Sequence, residues 1–347
     1  MIHRLAIIGF GTVGQGLCEI LKDRRSGLKS RYGFEYSVVA VSDLQKGSVS
    51  CEDGLDEGQL LQLAKSGIPL DQYPPRGHGC VTGWDSVKTI RDTDATVVCE
   101  LTPTDIETGE PAISHVREAL ALGKHVVTSN KGPPALAYRE LARLASQQGT
   151  QFLIEGSVMA GTPLIKMARH HLAGANLSSI KGILNGTTNF ILTEMERGMS
   201  YESALVQAQE MGYAETDPTA DVEGLDALAK VAILAGAVLD EDLKLNAIPV
   251  QGITHLTSRD VAAAISRKKR WKLLGQVVRT SRGLEASVGP EMVDLSHPLA
   301  EVSGPTNAVT FSTDVLGDVT IKGPGAGKEA TGFAVLSDLL EIHRHTA

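Results

Sequence analysis

A single lysine preceded by a dense group of carboxylates is the pattern in this sequence with the clearest chemical use. Residues 212–230 place five acidic side chains ahead of Lys230: Glu215, Asp217, Asp221, Glu223 and Asp226. Asp217 followed by Pro218 is typical of a helix start. Such a helix would place Glu223, Asp226 and Lys230 on one face. A lysine held among carboxylates can donate a proton to a carbonyl oxygen, although the same spacing also decorates solvated helix surfaces.

A glycine-rich turn near the start of the chain is a second pattern with a chemical use. It lies between an apolar run and a helical pattern, and it reads Gly9-Phe10-Gly11-Thr12-Val13-Gly14. In this setting the glycines allow a tight turn, let a pyrophosphate approach the main chain and let the helix pack on the strand. The helix N-terminus attracts the anion. The turn therefore predicts a bound dinucleotide, with an empty turn of the same fold as the alternative.

The end of the second predicted strand bears on which dinucleotide is bound. Asp43 closes the apolar run 36–43, where a carboxylate accepts hydrogen bonds from an adenosine ribose. This position favours NAD. Lys46 follows closely in the sequence and would instead suit the 2′-phosphate of NADP, so both cofactors remain open.

Two further segments place polar or flexible residues beside the ends of predicted elements. Lys131 follows the strand 125–128, at the carboxyl edge where open parallel sheets bind ligands. Exposure on the surface is the commoner fate of a lysine. Residues 323–327 read Gly-Pro-Gly-Ala-Gly before the last predicted helix, so the main chain there either approaches a ligand or makes a tight turn.

These motifs are positioned by an alternation of strands and helices. The elements predicted in the first part of the chain are strands at 4–9, 36–43, 95–101 and 125–128 and helices at 111–122 and 136–147. This order indicates an α/β fold with a doubly wound parallel sheet of the Rossmann type. Residues 44–84 are rich in turn signals and predict an elaborated loop with one short helix near 59–66. Beyond residue 272, short runs separated by turns predict antiparallel hairpins, followed by a helix at 329–343.

Composition narrows the classes of partner. The 347 residues carry 41 acidic and 33 basic side chains, a net charge of −8, which disfavours nucleic acid and leaves a small molecule as the expected ligand. The basic run 267–272 is therefore interpreted as a solvated helix end. Four scattered cysteines predict no disulfide scaffold and a reducing compartment. No apolar run is long enough for a membrane span, so we expect a cytoplasmic protein.

Together these motifs resemble the homoserine dehydrogenase family over nearly the whole chain. The stretches that carry the resemblance are residues 9–14, 100–104, 128–132, 155–161, 182–189, 212–230 and 323–327. The block 212–230 is the most diagnostic of them. The resemblance implies interconversion of L-homoserine and L-aspartate 4-semialdehyde with NAD or NADP as cofactor.

The resemblance also implies roles for individual residues. The proton donor to the aldehyde oxygen would be Lys230, with Asp226 as its partner. The positions on the substrate side are Glu215, which suits the homoserine ammonium, and Asp221, Gly186 and Thr187. The positions beside the cofactor are Thr102, Lys131 and Gly327, of which Lys131 is also a catalytic candidate.

A monovalent-cation site is a further implication of the resemblance. Oxygens for Na⁺ or K⁺, largely from the backbone, would come from Glu155, Val158, Ala160 and Thr162. Ser129 and the pair Pro133-Pro134 depart from the family's usual alanine and single proline on either side of Lys131. The chain ends after its last helix, where many members carry a regulatory ACT domain. We therefore expect a short form without threonine feedback through such a domain.

The length of the chain predicts two domains, with a boundary near residue 150, and the resemblance implies a homodimer and a C-terminal helix that returns to the first domain. Residues 1–150, with a C-terminal helix at about 328–347 returning to them, would bind the dinucleotide. Residues 151–327 would form a mixed α/β domain that carries the substrate site and the dimer contacts. Two alternatives remain: a dinucleotide-binding sensor or regulatory subunit without turnover, and a dehydrogenase of a related amino-acid aldehyde.

Overall fold

The computed structural model describes residues 1–74 and 79–346, which form two compact units. The first unit comprises Met1–Gly161 together with the segment that begins at Gly327, and the second comprises Thr162–Ala326. The boundary predicted near residue 150 therefore lies inside the first unit. Within the loop predicted at 44–84, residues 75–78 lie outside the described residues.

The first unit is built on a seven-stranded sheet. Its elements in chain order are β1 (Ile2–Ile8), α1 (Thr12–Tyr32), β2 (Glu35–Asp43), β3 (Gly47–Leu55), α2 (Glu57–Lys65), β4 (Cys80–Thr82), α3 (Ser86–Asp92), β5 (Val97–Glu100), α4 (Ala112–Ala121), β6 (His125–Thr128), α5 (Gly132–Leu136), α6 (Tyr138–Gln147) and β7 (Phe152–Leu153). The strand order is β4-β3-β2-β1-β5-β6-β7. Strands β2, β1, β5, β6 and β7 run parallel to one another, which confirms the predicted doubly wound sheet.

Residues 44–84 extend this sheet, whereas the sequence predicted a loop with one helix. The helix is present as α2, but β3 and β4 add two antiparallel strands beyond β2. Cys51 and Cys80 occupy paired positions on these strands and form a disulfide. This pair differs from the expectation of no disulfide scaffold, and a sequence separation of 29 gives two cysteines no local signal of pairing.

The second unit is built on a five-stranded antiparallel sheet. Its elements are β8 (Leu177–Ile183), α7 (Gly186–Glu196), α8 (Tyr201–Glu210), α9 (Thr219–Val222), α10 (Leu225–Leu239), α11 (Ser258–Ser266), β9 (Lys269–Thr280), β10 (Gly283–Asp294), β11 (Thr306–Thr313) and β12 (Gly317–Pro324). The strand order is β10-β9-β8-β11-β12. The hairpins predicted beyond residue 272 are therefore confirmed as β9 with β10 and β11 with β12.

The interpretation of the basic run 267–272 as a solvated helix end is wrong for Lys272. The run enters β9, and the side chain of Lys272 is fully buried. Its Nζ donates to the carbonyl oxygen of Val302 at 2.7 Å and to Oδ1 of Asn189 at 3.2 Å. Burial lowers the pKa of Lys272 to about 8. The buried amine is tolerated because its protons have oxygen acceptors.

The last helix, α12 (Lys328–Thr346), belongs to the first unit. Its buried residues Val335, Leu339 and Ile342 join the same apolar core as β1 and α1. Close approach of α12 to α1 depends on two residues without side chains: a Cβ on Gly16 would lie 2.7 Å from the carbonyl oxygen of Lys328, and one on Gly332 would lie 2.9 Å from the backbone of α1. The predicted return of the C-terminal helix is confirmed.

A buried histidine pair joins the start of β1 to the end of α12. Nε2 of His3 lies 3.0 Å from Nδ1 of His343, and the His3 ring stacks on Phe34. Burial, reinforced by His343, lowers the pKa of His3 to about 4. The folded protein therefore favours neutral His3, and protonation opposes folding.

We expect the first unit to lose stability in mild acid for this reason. A histidine in an unfolded chain titrates near pH 6.5, so the stabilisation is complete above that pH and is lost as the pH falls toward about 4, by about 3 kcal/mol. Urea unfolding at pH 7 and pH 5 measures the loss. The His3→Gln variant should lose less between the two pH values, whereas the exposed control His345→Gln should match the wild type.

None of the described helices is both long and apolar enough to cross a membrane. The described residues likewise contain no cluster of three or more histidine, cysteine or acidic side chains arranged to hold a metal ion.

Candidate active site

The three glycines of the turn between β1 and α1 have two different roles. Two of them are required by close backbone contacts, and the third faces open space. Gly9 adopts φ 93°, and a Cβ there would lie 2.5 Å from the carbonyl oxygen of Leu101. A Cβ on Gly14 would lie 2.5 Å from the carbonyl oxygen of Gly9. Gly11, which precedes α1, has nothing within 4 Å of an added Cβ. The main chain at Gly11 is thus open to a ligand at the positive end of α1.

Asp43 ties the end of β2 to this turn. Its Oδ2 accepts from the backbone N–H of Phe10 at 2.7 Å. Its Oδ1 accepts from the backbone N–H groups of Gln45 and Lys46 at 3.0 and 2.9 Å, and Nζ of Lys46 lies 3.8 Å away. The structure thus adds a function that the sequence analysis did not assign, because the carboxylate also orients the turn.

A buried carboxylate at the end of β5 organises the next loop. Glu100 is fully buried, and its Oε1 accepts a hydrogen bond from the hydroxyl of Thr102. Nδ1 of His115, on α4, lies 3.5 Å from the same oxygen. Thr128 at the end of β6 donates to the carbonyl oxygen of Glu100 at 2.6 Å. Neither residue has a role that its place in the sequence reveals, because Glu100 and His115 meet only in the folded sheet.

Asn130 joins the loops that carry two predicted cofactor residues. Its Nδ2 donates to the carbonyl oxygens of Thr102 and Pro103 at 3.0 and 3.2 Å, and its Oδ1 accepts from the N–H of Gly132 at 2.8 Å. The N–H of Lys131 donates to Oγ1 of Thr104 at 3.2 Å. The structure therefore brings the loops of Thr102 and Lys131 together after the ends of β5 and β6, and Lys131 lies at the carboxyl edge of the sheet.

Lys230 lies on α10 in the second unit and is almost fully buried, with 7% of its surface exposed. Its Nζ donates to Oδ2 of Asp226, one turn earlier, at 2.7 Å and to the carbonyl oxygen of Leu184 at 2.7 Å. The predicted pairing of Asp226 with Lys230 is present. An ammonium has three protons, and these two acceptors take two of them.

The helix predicted from Asp217 to Lys230 is wrong in one respect. Gly224 adopts φ 83° and separates α9 from α10, so Glu223 does not share a helix face with Asp226 and Lys230. Its Oε1 accepts instead from Oγ1 of Thr254. A glycine in the left-handed region ends one helix and lets another begin.

Asn185 connects a second carboxylate, Asp221, to the hydrogen-bonded cluster of Lys230, which consists of Lys230, Asp226 and the carbonyl oxygen of Leu184. Nδ2 of Asn185 donates to Oδ1 of Asp221 at 2.6 Å and to Oδ2 of Asp226 at 2.9 Å. Burial and the charge of Asp226 raise the pKa of Asp221, while the hydrogen bond from Asn185 and the charge of Lys230 oppose the rise. Asn185 belongs to the family-like stretch 182–189, but its function depends on partners that lie 36 and 41 residues away in the sequence.

The remaining predicted substrate residues lie in different surroundings. Gly186 opens α7, and a Cβ there would lie 2.6 Å from the carbonyl oxygen of Pro305. Oγ1 of Thr187 donates to the carbonyl oxygen of Tyr213 at 2.7 Å. Glu215 lies on the exposed segment that precedes α9, outside the hydrogen-bonded cluster of Lys230 as far as the described residues show.

The glycine segment 323–327 packs against Asn307, whose side chain donates to the same carbonyl oxygen, that of Leu184, to which Lys230 donates. Nδ2 of the buried Asn307 donates to the carbonyl oxygen of Leu184 at 2.9 Å. A Cβ on Gly325 would lie 2.2 Å from that Nδ2, so only glycine fits there. Gly327, which adopts φ 129°, is exposed and begins the segment of the first unit that leads into α12.

The residues predicted to hold a cation lie at the end of the first unit and the start of the second. Glu155, Val158 and Ala160 are buried in the first unit, and Ala160 adopts φ 45°, a left-handed conformation uncommon for alanine. The N–H of Glu155 donates to Oδ2 of Asp338 at 3.0 Å. Thr162 begins the second unit and donates from Oγ1 to the carbonyl oxygen of Pro324 at 3.0 Å.

A dinucleotide turn on a doubly wound sheet, in a chain that also carries a buried lysine paired with an aspartate, defines a nicotinamide-dependent dehydrogenase. Comparison of the sequence with models of known protein families supports this class. The homoserine dehydrogenase model matches residues 163–340, and the model of that enzyme's NAD-binding domain matches residues 9–155. The chain belongs to the homoserine dehydrogenase family.

Individual relatives cover the chain almost completely. An NAD(+)-dependent homoserine dehydrogenase of Pseudomonas canavaninivorans is 45% identical, with 99% of this chain and 96% of the relative covered. A homoserine dehydrogenase of Methanocaldococcus jannaschii is 40% identical, with 99% of both chains covered.

Solved structures give the same assignment. A putative homoserine dehydrogenase of Archaeoglobus fulgidus aligns with a TM-score of 0.87 at 36% identity, over 98% of this chain and 99% of that one. A hyperthermophilic archaeal homoserine dehydrogenase in complex with NADPH aligns with a TM-score of 0.82 at 30% identity, over 99% and 98% of the two chains.

Proposed function

We propose that this chain interconverts L-homoserine and L-aspartate 4-semialdehyde with NAD(P), and that Lys230 moves the proton. The observation that supports the role of Lys230 is its hydrogen bonding. Asp226 and the carbonyl oxygen of Leu184 take two protons of its ammonium group. Among the residues that the structure describes, no acceptor takes the third, so that proton is available to a substrate oxygen. Asp226 and Leu184 also fix the direction in which that proton points.

The proposed chemistry moves a hydride and a proton. A bound dinucleotide, held by the turn from Gly9 to Gly14, would supply or accept the hydride at the carbon that becomes the alcohol or the aldehyde. In reduction, Lys230 donates its proton to the carbonyl oxygen as negative charge develops there. In oxidation, neutral Lys230 takes the hydroxyl proton from homoserine.

The substrate carries an ammonium group, and the proposed binding residues supply negative charge for it. Asp221 accepts a hydrogen bond from Asn185, which also donates to Asp226, the partner of Lys230. Glu215 would provide a second carboxylate from the exposed segment that precedes α9. Gly186 and Thr187 lie at the N-terminus of α7, where main-chain N–H groups and the positive end of the helix suit the substrate carboxylate.

The proposed cofactor residues all lie in the first unit. The turn from Gly9 to Gly14 would hold the pyrophosphate, and Thr102 and Lys131 would lie beside the nicotinamide. Gly327 would supply a later main-chain contact. Asp43 favours NAD over NADP, because its carboxylate suits ribose hydroxyls and repels a 2′-phosphate.

The NAD preference can be tested by removing the charge of Asp43. We expect wild-type kcat/KM to be higher with NAD than with NADP, and the Asp43→Asn variant to reduce that ratio about tenfold, as for the loss of about 1.4 kcal/mol of discrimination. Initial rates with both cofactors measure it. Asp53→Asn, on the exposed part of β3, is the control. An unchanged ratio in Asp43→Asn would remove Asp43 from cofactor selection.

We propose further that Glu155, Val158, Ala160 and Thr162 contribute oxygens to a Na⁺ or K⁺ ion. The support is the burial of all four residues and the left-handed turn at Ala160, which reorients carbonyl groups that a monovalent cation could use. The homodimer, the cytoplasmic location and the exclusion of nucleic acid stay predictions.

The deciding experiment is initial-rate oxidation of L-homoserine with NAD and NADP in parallel. Turnover with homoserine, and much weaker turnover with other short amino alcohols, supports the proposed reaction. Dinucleotide binding without turnover would instead favour the sensor hypothesis. Preference for another amino-acid aldehyde in the reductive direction would reassign the substrate.

A further inference from the structure

One amide group in the second unit bridges two carboxylates. Asn185 is 4% exposed, and its Nδ2 donates one proton to Asp221 at 2.6 Å and the other to Asp226 at 2.9 Å. Asp226 uses the same oxygen, Oδ2, to accept from Lys230. The amide is therefore the neutral donor that lies between two like charges, both of them on half-buried carboxylates.

The other end of the same amide is fixed by secondary structure. Asn185 is the N-cap residue of α7, and its Oδ1 accepts from the N–H of Thr188 at 2.9 Å. The hydroxyl of Thr188 lies 3.0 Å from the same oxygen. Because Oδ1 is committed to the helix, Nδ2 must face Asp221 and Asp226. The start of α7 thus sets the orientation of the amide.

The charges around Asp221 explain why such a donor matters. Asp226 and Lys230, both on α10, act on it with opposite signs, and α7 contributes the neutral groups of Asn185 and Thr187. Burial and a neighbouring carboxylate both favour the protonated form of an acid, whereas a donated hydrogen bond favours the ionised form. Asn185 therefore opposes the two effects that would neutralise Asp221.

We propose that Asn185 is a positioning residue that keeps Asp221 ionised for the substrate ammonium while holding Asp226 against Lys230. The proposal rests on the proposed function of this cluster as the substrate and proton-transfer site. The two polar atoms of the Asn185 amide then have different functions. Oδ1 caps the N-terminus of α7, and Nδ2 stabilises the ionised form of Asp221. These functions can be separated by substitution.

The Asn185→Ser variant separates them. Serine is a good N-cap residue, but its hydroxyl cannot bridge two carboxylates while capping the helix. We expect KM for homoserine at pH 7 to rise about tenfold, as for loss of the hydrogen bond to the charged group of Asp221, with KM for the dinucleotide unchanged. The acid limb of the profile of kcat/KM against pH should move to higher pH, because Asp221 then protonates more readily.

The matched control is Asn176→Ser. Asn176 also donates from Nδ2 to an aspartate, Asp314, at 2.5 Å, but it lies on the surface beside the opposite end of β8. This variant loses the same kind of hydrogen bond and should keep the wild-type pH profile. A shift in both variants would mean that the effect comes from general destabilisation, and it would overturn the proposal.

A wild type that turns over homoserine, together with an Asn185→Ser variant with unchanged KM and pH profile, overturns the positioning role alone. If the wild type turns over no homoserine, the proposed function fails and the positioning role fails with it. If Asn185→Ser does not fold, Asn185→Asp keeps the shape and the capping oxygen. That variant adds a third carboxylate, so its acid limb should move further, and an unchanged profile would again overturn the proposal.

Discussion

Replacing Lys230 with methionine is expected to lower kcat for homoserine oxidation by about 10²–10⁴-fold, the usual contribution of a positioned acid or base. Methionine keeps the length and apolar body of the side chain but has no proton to transfer. Asp226 keeps its hydrogen bond from Asn185, so the carboxylate is not left without a donor. Initial rates at saturating dinucleotide measure the effect.

Two controls test whether the loss of kcat in Lys230→Met comes from the missing proton donor and not from a general effect of the substitution. Lys244→Met changes an exposed lysine after the end of α10 and should leave kcat unchanged. Calorimetric titration of Lys230→Met with NAD and NADP should give wild-type affinity, because Lys230 lies in the second unit and the proposed dinucleotide residues lie in the first. If the variant kept more than about a tenth of the wild-type kcat, a positioned proton donor of the usual strength would be excluded.

The parts of the fold that could be predicted are those whose signals are local. The strand, glycine turn and helix from Ile2 to Tyr32 follow one another without interruption, and each has its own periodicity. Asp226 and Lys230 are four residues apart on one helix, so their contact needs no tertiary information. Gly224, which separates α9 from α10, is itself a local signal for a helix end within the predicted single helix.

The parts that could not be predicted depend on contacts between distant residues. Strands β3 and β4 have few strand-forming runs and gain their order by extending the sheet beyond β2. Lys272 is buried because Asn189 and Val302 come to it from elsewhere in the chain. Asn185 meets Asp221 and Asp226 at sequence separations of 36 and 41. A motif can place such a residue in a family, but only the folded chain gives its partners.

The second large effect is expected in the glycine turn, from Gly11→Asp. Gly11 precedes α1 with φ −79° and ψ −152°, a conformation open to any residue, and nothing lies within 4 Å of an added Cβ. Aspartate is a favoured N-cap residue, so the free energy of unfolding should be unchanged or slightly higher. A new charge about 4 Å from a phosphate repels it by about 4 kcal/mol near a protein surface. Affinity for NAD and NADP should therefore fall at least about a hundredfold.

The control for this variant lies on the same helix. Gly27→Asp adds the same charge to α1 where an added Cβ also meets nothing within 4 Å, about 24 Å further along at 1.5 Å per residue, and should bind dinucleotide as the wild type does. Gly9 and Gly14 cannot serve this purpose, because a Cβ at either would collide with backbone whether or not a dinucleotide is bound. Calorimetry and thermal unfolding of the two variants separate binding from folding. Wild-type affinity in Gly11→Asp would mean that the pyrophosphate does not approach this turn.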